Sequence, residues 1–133
     1  MERLILDTGA LIALERTDPC PGEPVKDNAD VAISAVTAAE LLVGVELADD
    51  ALRERRRAFV DGVLDRVEIL AFDLTVARHH AQLLAHVRRV GRPRGAHDLQ
   101  IAATARASDR IVITTEATAF ADLPLVSSRT IKG

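Results

Sequence analysis

Short apolar runs alternate with longer segments of helical spacing along this chain, and this alternation limits the fold more than any other feature. The predicted strands are the apolar runs at residues 4–6, 31–33, 67–70, 111–113 and 125–126. The predicted helices lie between them, at residues 8–14, 37–48, 50–65, 74–90 and 97–107, with one more helical turn at 117–122. Alternating strands and helices predict an α/β fold, with a parallel sheet covered on both faces.

The size and composition of the chain suit one compact enzyme-sized unit, so residues 1–133 are expected to form a single domain. The net charge of −3 argues against a protein that holds nucleic acid mainly through a positive field. A single cysteine, Cys20, excludes an intramolecular disulfide and indicates a reducing compartment. With no signal peptide or membrane span in the pattern, we expect a cytoplasmic protein with no membrane contact. Only three aromatic residues, all Phe, argue against recognition of single strands by base stacking.

Four acidic residues occupy unusual positions. Asp7 ends the first apolar run, and Glu116 follows the run at 111–113, which places both at the carboxyl ends of predicted strands, where open α/β sheets bind ligands. Glu40 lies in a helix that is apolar nearly all round, and Asp98 opens a helix on the side of Ala102 and Ala105. We therefore expect these carboxylates to face inward.

Each of the helical acids also has a purely structural interpretation. Glu40 follows Thr37 by three residues, which is the spacing of a capping box. Asp98 and Glu116 each stand at the start of a predicted helical segment, where the helix dipole favours negative charge. These alternatives remain open from the sequence alone.

Convergence of the four carboxylates would predict a metal site. Carboxylates a few ångströms apart cannot all remain ionised unless a cation is present, and a hard divalent ion such as Mg²⁺ or Mn²⁺ suits oxygen ligands. In this hypothesis Asp7 and Asp98 hold the ion, Glu40 orients or deprotonates a water, and Glu116 completes the shell or helps to bind a second ion. Such a site hydrolyses phosphodiesters.

A basic cluster precedes Asp98. Arg92 and Arg94, together with Arg88 and Arg89, are interpreted as contacts to the phosphates of RNA. Solvated charge at a helix end, where cations suit the dipole, is the alternative interpretation.

The segments around the four acids resemble the PIN domain family. They are Leu4-Ile5-Leu6-Asp7-Thr8-Gly9-Ala10, Ile33-Ser34-Ala35-Val36-Thr37-Ala38-Ala39-Glu40, Gly95-Ala96-His97-Asp98-Leu99-Gln100-Ile101-Ala102-Ala103 and Ile113-Thr114-Thr115-Glu116. More narrowly, they are similar to VapC-type toxin ribonucleases of toxin–antitoxin pairs. Their order and spacing are kept over almost the whole chain.

The resemblance implies a three-layer α/β/α sandwich, an acidic pocket for Mg²⁺ or Mn²⁺, and endoribonuclease activity that leaves a 5′-phosphate. It also implies a VapB-type antitoxin that blocks the site, and a homodimer. Asp7 and Asp98 match the family's metal-binding aspartates, and Glu40 matches its acid on the second helix. Glu116 departs from the pattern, because the family usually has Asp there. The Pro-rich segment after Asp18 also departs, since the family tends to have a helix at that place.

Three other functions match parts of the sequence. Asp7-Thr8-Gly9 matches the tripeptide of aspartic proteases, but those folds are mostly β. A phosphoacceptor receiver domain would need a second acid after the first strand and a Lys near Glu116, and Lys occurs only at positions 26 and 132. A degenerate domain that binds RNA or a partner without cutting is the remaining alternative, and Glu116 is the feature that favours it.

Overall fold

The computed structural model describes residues 1–16 and 29–133, and within these ranges the chain forms five strands and five helices. The predicted Pro-rich loop at 18–24 lies outside the described residues. The strands are β1 (Arg3–Leu6), β2 (Asp30–Ser34), β3 (Glu68–Leu70), β4 (Ile111–Thr114) and β5 (Ser128–Thr130). The helices are α1 (Thr8–Arg16), α2 (Ala35–Leu47), α3 (Asp50–Arg66), α4 (Leu74–Val90) and α5 (Ala96–Ser108).

All strand pairs in the sheet are parallel, and the strand order is β3-β2-β1-β4-β5. The central strand β1 pairs with β2 on one side, with Leu4 opposite Val31, and with β4 on the other, with Leu4 opposite Ile111. Since all strands run the same way, their carboxyl ends form one edge of the sheet. The α/β class with a parallel sheet is confirmed.

Two cores cover the two faces of the sheet, and the alternation of side chains along β1 separates them. Ile5 packs with α4 and α5, for example with Leu83 and Ile101. Leu4 and Leu6 point to the opposite face and pack with α1, α2 and α3. The helices thus form two outer layers around the sheet, which confirms the predicted sandwich.

Two predicted elements near the C-terminus are wrong. The strand expected at 125–126 begins only at Ser128, because Pro124 and Leu125 form a turn that the amide of Val126 closes on the carbonyl of Leu123 (3.2 Å). The helical turn expected at 117–122 is a succession of turns, and Asp122 has a backbone φ of 61°, which a right-handed helix cannot accommodate.

The opposite edge of the sheet, at the amino ends of the strands, is held by a buried arginine. The Arg110 side chain is 2% exposed, and its Nη1 donates to the carbonyls of Leu4 (3.1 Å) and Asp30 (2.9 Å). Nη2 reaches Glu68 on β3 at 3.4 Å. This edge is therefore structural, which leaves the carboxyl edge for ligands. No helix within the described ranges has the length and hydrophobicity that a membrane span needs.

Candidate active site

Asp7 stands at the carboxyl end of β1 and begins the connection to α1. Its amide donates to the carbonyl of Ile113 (3.0 Å), which extends the pairing of β1 with β4 by one residue. Its Oδ1 accepts a hydrogen bond from the amide of Ala10 (2.8 Å), so the carboxylate caps the first turn of α1. The residue is 6% exposed. The fold thus fixes this carboxylate at the strand end where the sequence predicted a site.

The pKa of Asp7 is raised above the usual value for aspartate. Burial is the main cause, because it penalises the charged form. Hydrogen bonds from Thr114 and Ala10 act in the opposite direction, while the negative charges of Glu40 and Glu116 raise the pKa further. Two carboxylates from other parts of the chain therefore lie close enough to Asp7 to repel its negative charge.

Thr114, the last residue of β4, links two of the acids. Its side chain is fully buried and hydrogen-bonds the carboxylate of Asp7. Its Oγ1 also accepts a hydrogen bond from the amide of Glu116 (3.0 Å). One hydroxyl thereby orients Asp7 and fixes the backbone that carries Glu116, whose side chain is exposed.

Glu40 is held by contacts from two other helices. The hydroxyl of Thr8 donates to Oε1 (2.6 Å), and Nδ1 of His97 lies 3.0 Å from Oε2. The helix that carries Glu40, α2, begins two residues earlier than predicted. Its N-cap is Ser34, whose Oγ accepts a hydrogen bond from the amide of Thr37 (3.0 Å). The capping-box interpretation is therefore wrong: Glu40 points across to α1 and α5 instead of back along its own helix.

Asp98 lies in the first turn of α5 and also has a raised pKa. Burial is again the largest cause, followed by the negative charges of Asp7 and Glu40 and, more weakly, of Glu116. The charge of His97 acts in the opposite direction. The four acids, which come from separate segments of the chain, are therefore gathered at the carboxyl edge of the sheet. The helix dipole alone would have lowered this pKa.

A cleft of about 540 Å³ opens beside Asp98 and Glu116, and we call it the active-site cleft. Asp7 and Glu40 lie outside its lining, so the cleft reaches the acidic cluster through Asp98 and Glu116. Arg92 and Arg94, which the sequence analysis interprets as phosphate contacts, form part of its wall. Arg94 also has a structural task, because its guanidinium donates to the carbonyls of Ala121 (2.7 Å) and Arg92 (3.1 Å). Arg92 is exposed and has its charge available for a ligand.

The other two arginines of the basic cluster lie elsewhere. Arg88 and Arg89 are exposed in the last turn of α4, outside the lining of the active-site cleft. Their position agrees with the alternative interpretation, in which cations at a helix C-terminus complement the dipole.

The donor set at the site fits a hard cation. Burial is the main cause of the raised pKa values of Asp7 and Asp98, and nearby carboxylates raise them further, so a positive ion beside them would relieve an unfavourable concentration of charge. Within residues 1–16 and 29–133, no three His, Cys, Asp or Glu side chains are already gathered closely enough to hold a metal together. An ion bound by one or two carboxylates, with water or phosphate oxygens as its other ligands, is the usual arrangement for Mg²⁺.

Sequence reasoning identified the acids but missed the groups that orient them. Thr8 and Thr114 each adjoin the carboxyl end of a strand, next to Asp7 and two residues before Glu116, respectively. That position was the available signal, since a hydroxyl at such an end is well placed to donate to a neighbouring carboxylate. His97, which directly precedes Asp98, is a further such group, because its imidazole contacts Glu40.

Known proteins show the same fold and related sequences. The chain matches the family model "PIN domain" over residues 4–124. It is 31% identical over 122 residues to the tRNA(fMet)-specific endonuclease VapC of Shigella flexneri, which covers 90% of this chain and 91% of that protein. It is 38% identical over 111 residues to ribonuclease VapC5 of Mycobacterium tuberculosis, with 83% and 80% covered.

A solved structure supports the same relationship. In the crystal structure of DNA-bound VapBC from Salmonella typhimurium, one chain superimposes with a TM-score of 0.84 at 29% identity, over 98% of both chains. The chain belongs to the PIN domain family, and its relatives within that family include VapC ribonucleases.

Proposed function

We propose that this protein is an endoribonuclease that depends on Mg²⁺ or Mn²⁺ and hydrolyses RNA phosphodiester bonds in the active-site cleft. The observation that carries the proposal is the meeting of Asp7, Glu40, Asp98 and Glu116 at one edge of the sheet, where their charges act on one another. The names of the relatives, a tRNA-specific endonuclease and ribonucleases, support the same activity.

The residues of the chain divide the work as follows. Asp7 and Asp98 would bind the cation, which would supply electrostatic stabilisation of the charge that develops on the phosphoryl oxygens. Glu40, fixed in direction by Thr8 and His97, would orient the attacking water and accept its proton. In-line attack on phosphorus expels the 3′-oxygen and leaves a 5′-phosphate.

Two further side chains would act on the substrate side of the cleft. Arg92 would bind a phosphate of the RNA, and Arg94 would hold the wall of the cleft while contributing its charge. Glu116 is exposed at the mouth, where it would complete the ligand shell when RNA enters.

We further propose that the protein is the toxin of a cytoplasmic toxin–antitoxin pair, inhibited by a VapB-type antitoxin and assembled as a homodimer. The support for the antitoxin is that structural relatives from Salmonella typhimurium and Mycobacterium tuberculosis were solved as VapBC. The homodimer and the cytoplasmic location rest on the resemblance to the family. Co-purification of the chain with the product of an adjacent small gene would test the pairing.

Cleavage of RNA by the purified protein tests the nuclease. We expect cleavage with Mg²⁺ or Mn²⁺, none with EDTA, and none from Asp98→Asn in either condition. Asp61→Asn, which removes an exposed carboxylate on α3 outside the lining of the active-site cleft, is the matched control and should cut normally. Cleavage retained by Asp98→Asn would contradict the proposal and favour a different site. If the wild-type protein bound RNA but did not cleave it, the chain would be a degenerate binding domain.

A further inference from the structure

A second cavity, the side pocket, adjoins the active-site cleft. It has a volume of about 190 Å³ and shares three lining residues with the cleft: Arg92, Arg94 and Asp122. The rest of its lining consists of Leu123 and three residues of α4, namely His86, Val87 and Val90. A molecule that follows the wall of the cleft past Arg92 therefore enters the side pocket.

The lining of the side pocket combines three kinds of group. Leu123 is 5% exposed and gives an apolar floor, to which the half-exposed Val90 adds a rim. The imidazole of His86 and the guanidinium of Arg92 are planar groups on which a flat ring can stack. Asp122 supplies a carboxylate, which accepts hydrogen bonds and donates none when ionised. A flat, partly apolar ring with N–H donors on one edge fits this combination.

The backbone at the side pocket is held in an uncommon conformation. Asp122 has a φ of 61°, in the left-handed region that aspartate tolerates better than most residues. Gly91, with a φ of 70°, ends α4 and turns the chain so that Arg92 follows beside the pocket. Positive-φ residues cluster at ligand sites, where the surrounding structure fixes them.

We infer that the side pocket binds one nucleobase of the RNA next to the phosphodiester that is cut, and that guanine fits it best. The inference rests on the proposed nuclease function, since it places the base beside the catalytic carboxylates. Guanine presents two adjacent donors, N1–H and N2–H, to one carboxylate, whereas uracil presents the single donor N3–H between two carbonyl oxygens that the carboxylate repels. The scarcity of Phe, Tyr and Trp does not prevent stacking, because His86 and Arg92 take their place.

Binding of short RNA to the Asp98→Asn protein tests the side pocket without cleavage. The probes are a fluorescent oligouridylate and the same oligomer with one central guanosine. We expect the guanosine oligomer to bind about tenfold more tightly, the discrimination typical of a two-bond base contact. Asp122→Asn in the same background should reduce the ratio of the two affinities to about one. His86→Ala should weaken binding of the guanosine oligomer by about tenfold, because the base loses a stacking surface.

The ratio is the decisive quantity, because removal of a negative charge near RNA strengthens all binding alike. Asp109→Asn is the matched control: Asp109 also has a positive φ (55°) but lies at the amino edge of the sheet, so the preference for guanosine should persist. Equal affinities for both oligomers before the Asp122 change, or an unchanged ratio after it, would overturn the inference. If the wild-type protein did not cleave RNA but a clear preference for guanosine were found, the proposed nuclease function would be overturned and binding of the base in the side pocket would stand.

Discussion

His97 and Glu40 form a contact of 3.0 Å between Nδ1 of the imidazole and Oε2 of the carboxylate. The contact joins α5 to α2, and it fixes a carboxylate whose other oxygen already accepts from Thr8. Since His97 directly precedes Asp98, the first turn of α5 supplies one acid and orients another. A small change in this turn would therefore displace two of the four acids.

Removal of the His97 side chain should impair catalysis more than substrate binding. For His97→Ala we expect a fall in kcat of about tenfold or more with little change in KM, as is usual when a group that orients an active-site residue is lost. His97→Asn keeps a nitrogen donor near the position of Nδ1 and should recover much of the activity. Steady-state kinetics on a defined RNA measures both. Equal losses in the two variants would show that the contact between Nδ1 and Oε2 has no part in positioning Glu40.

Asp98→Asn should make the metal-free protein more stable at neutral pH. The folded pKa of Asp98 is raised, so the folded state binds its proton more tightly than the unfolded chain does. The stability that this gives is complete below the unfolded pKa and is lost as the pH rises through the folded pKa. The neutral amide does not suffer this loss.

Urea unfolding in EDTA at several pH values, from about 4 to 8, checks the sign of the difference in unfolding free energy between Asp98→Asn and the wild type. The gain in unfolding free energy of Asp98→Asn over the wild type should be largest at the highest pH and should shrink as the pH falls. Asp61→Asn again serves as the control, since its carboxylate is exposed. If Asp98→Asn were less stable than the wild type at neutral pH, the interaction of Asp98 with the helix dipole would outweigh the repulsion.

The sequence was sufficient for the parts of the site that depend on sheet topology. Asp7 and Glu116 follow apolar runs, and parallel strands bring the residues that follow them to one edge. The inward direction of Asp98 followed from the alanines one and two turns further along α5. These inferences needed only periodicity and the geometry of parallel strands.

The partners of Glu40 could not be inferred in the same way. A glutamate three residues after a threonine has the spacing of a local cap, and nothing in the sequence reports how α1 and α5 approach α2. The contact with Thr8 spans 32 residues and depends on tertiary packing. The structural use of Arg94 was hidden for the same reason, because its acceptor, the carbonyl of Ala121, lies 27 residues away.

Thr114→Val should weaken the site through Asp7 while it preserves the shape of the core. The change removes the hydroxyl that hydrogen-bonds a buried carboxylate, at a cost of about 1–3 kcal/mol in unfolding free energy. The lost bond lowers the pKa of Asp7 in the wild type, so the variant should have a still higher pKa there and need a higher pH for activity. Thr114→Ser keeps the hydroxyl and should retain the wild-type pH profile of cleavage. A superimposable profile for Thr114→Val would contradict this role.

Leu125→Gly should stabilise the protein because Leu125 has a backbone conformation that suits glycine. Its φ is 60°, it follows Pro124 in a turn closed by Val126 and Leu123, and it is 85% exposed, so its side chain contributes little packing. Relief of the strain at Cβ, set against the greater freedom of an unfolded glycine, should raise the unfolding free energy by about 0.5–1 kcal/mol. Leu125→Ala keeps Cβ and is the control, which should unfold at nearly the wild-type temperature. If glycine and alanine gave the same thermal unfolding midpoint, the turn would not be strained at this residue.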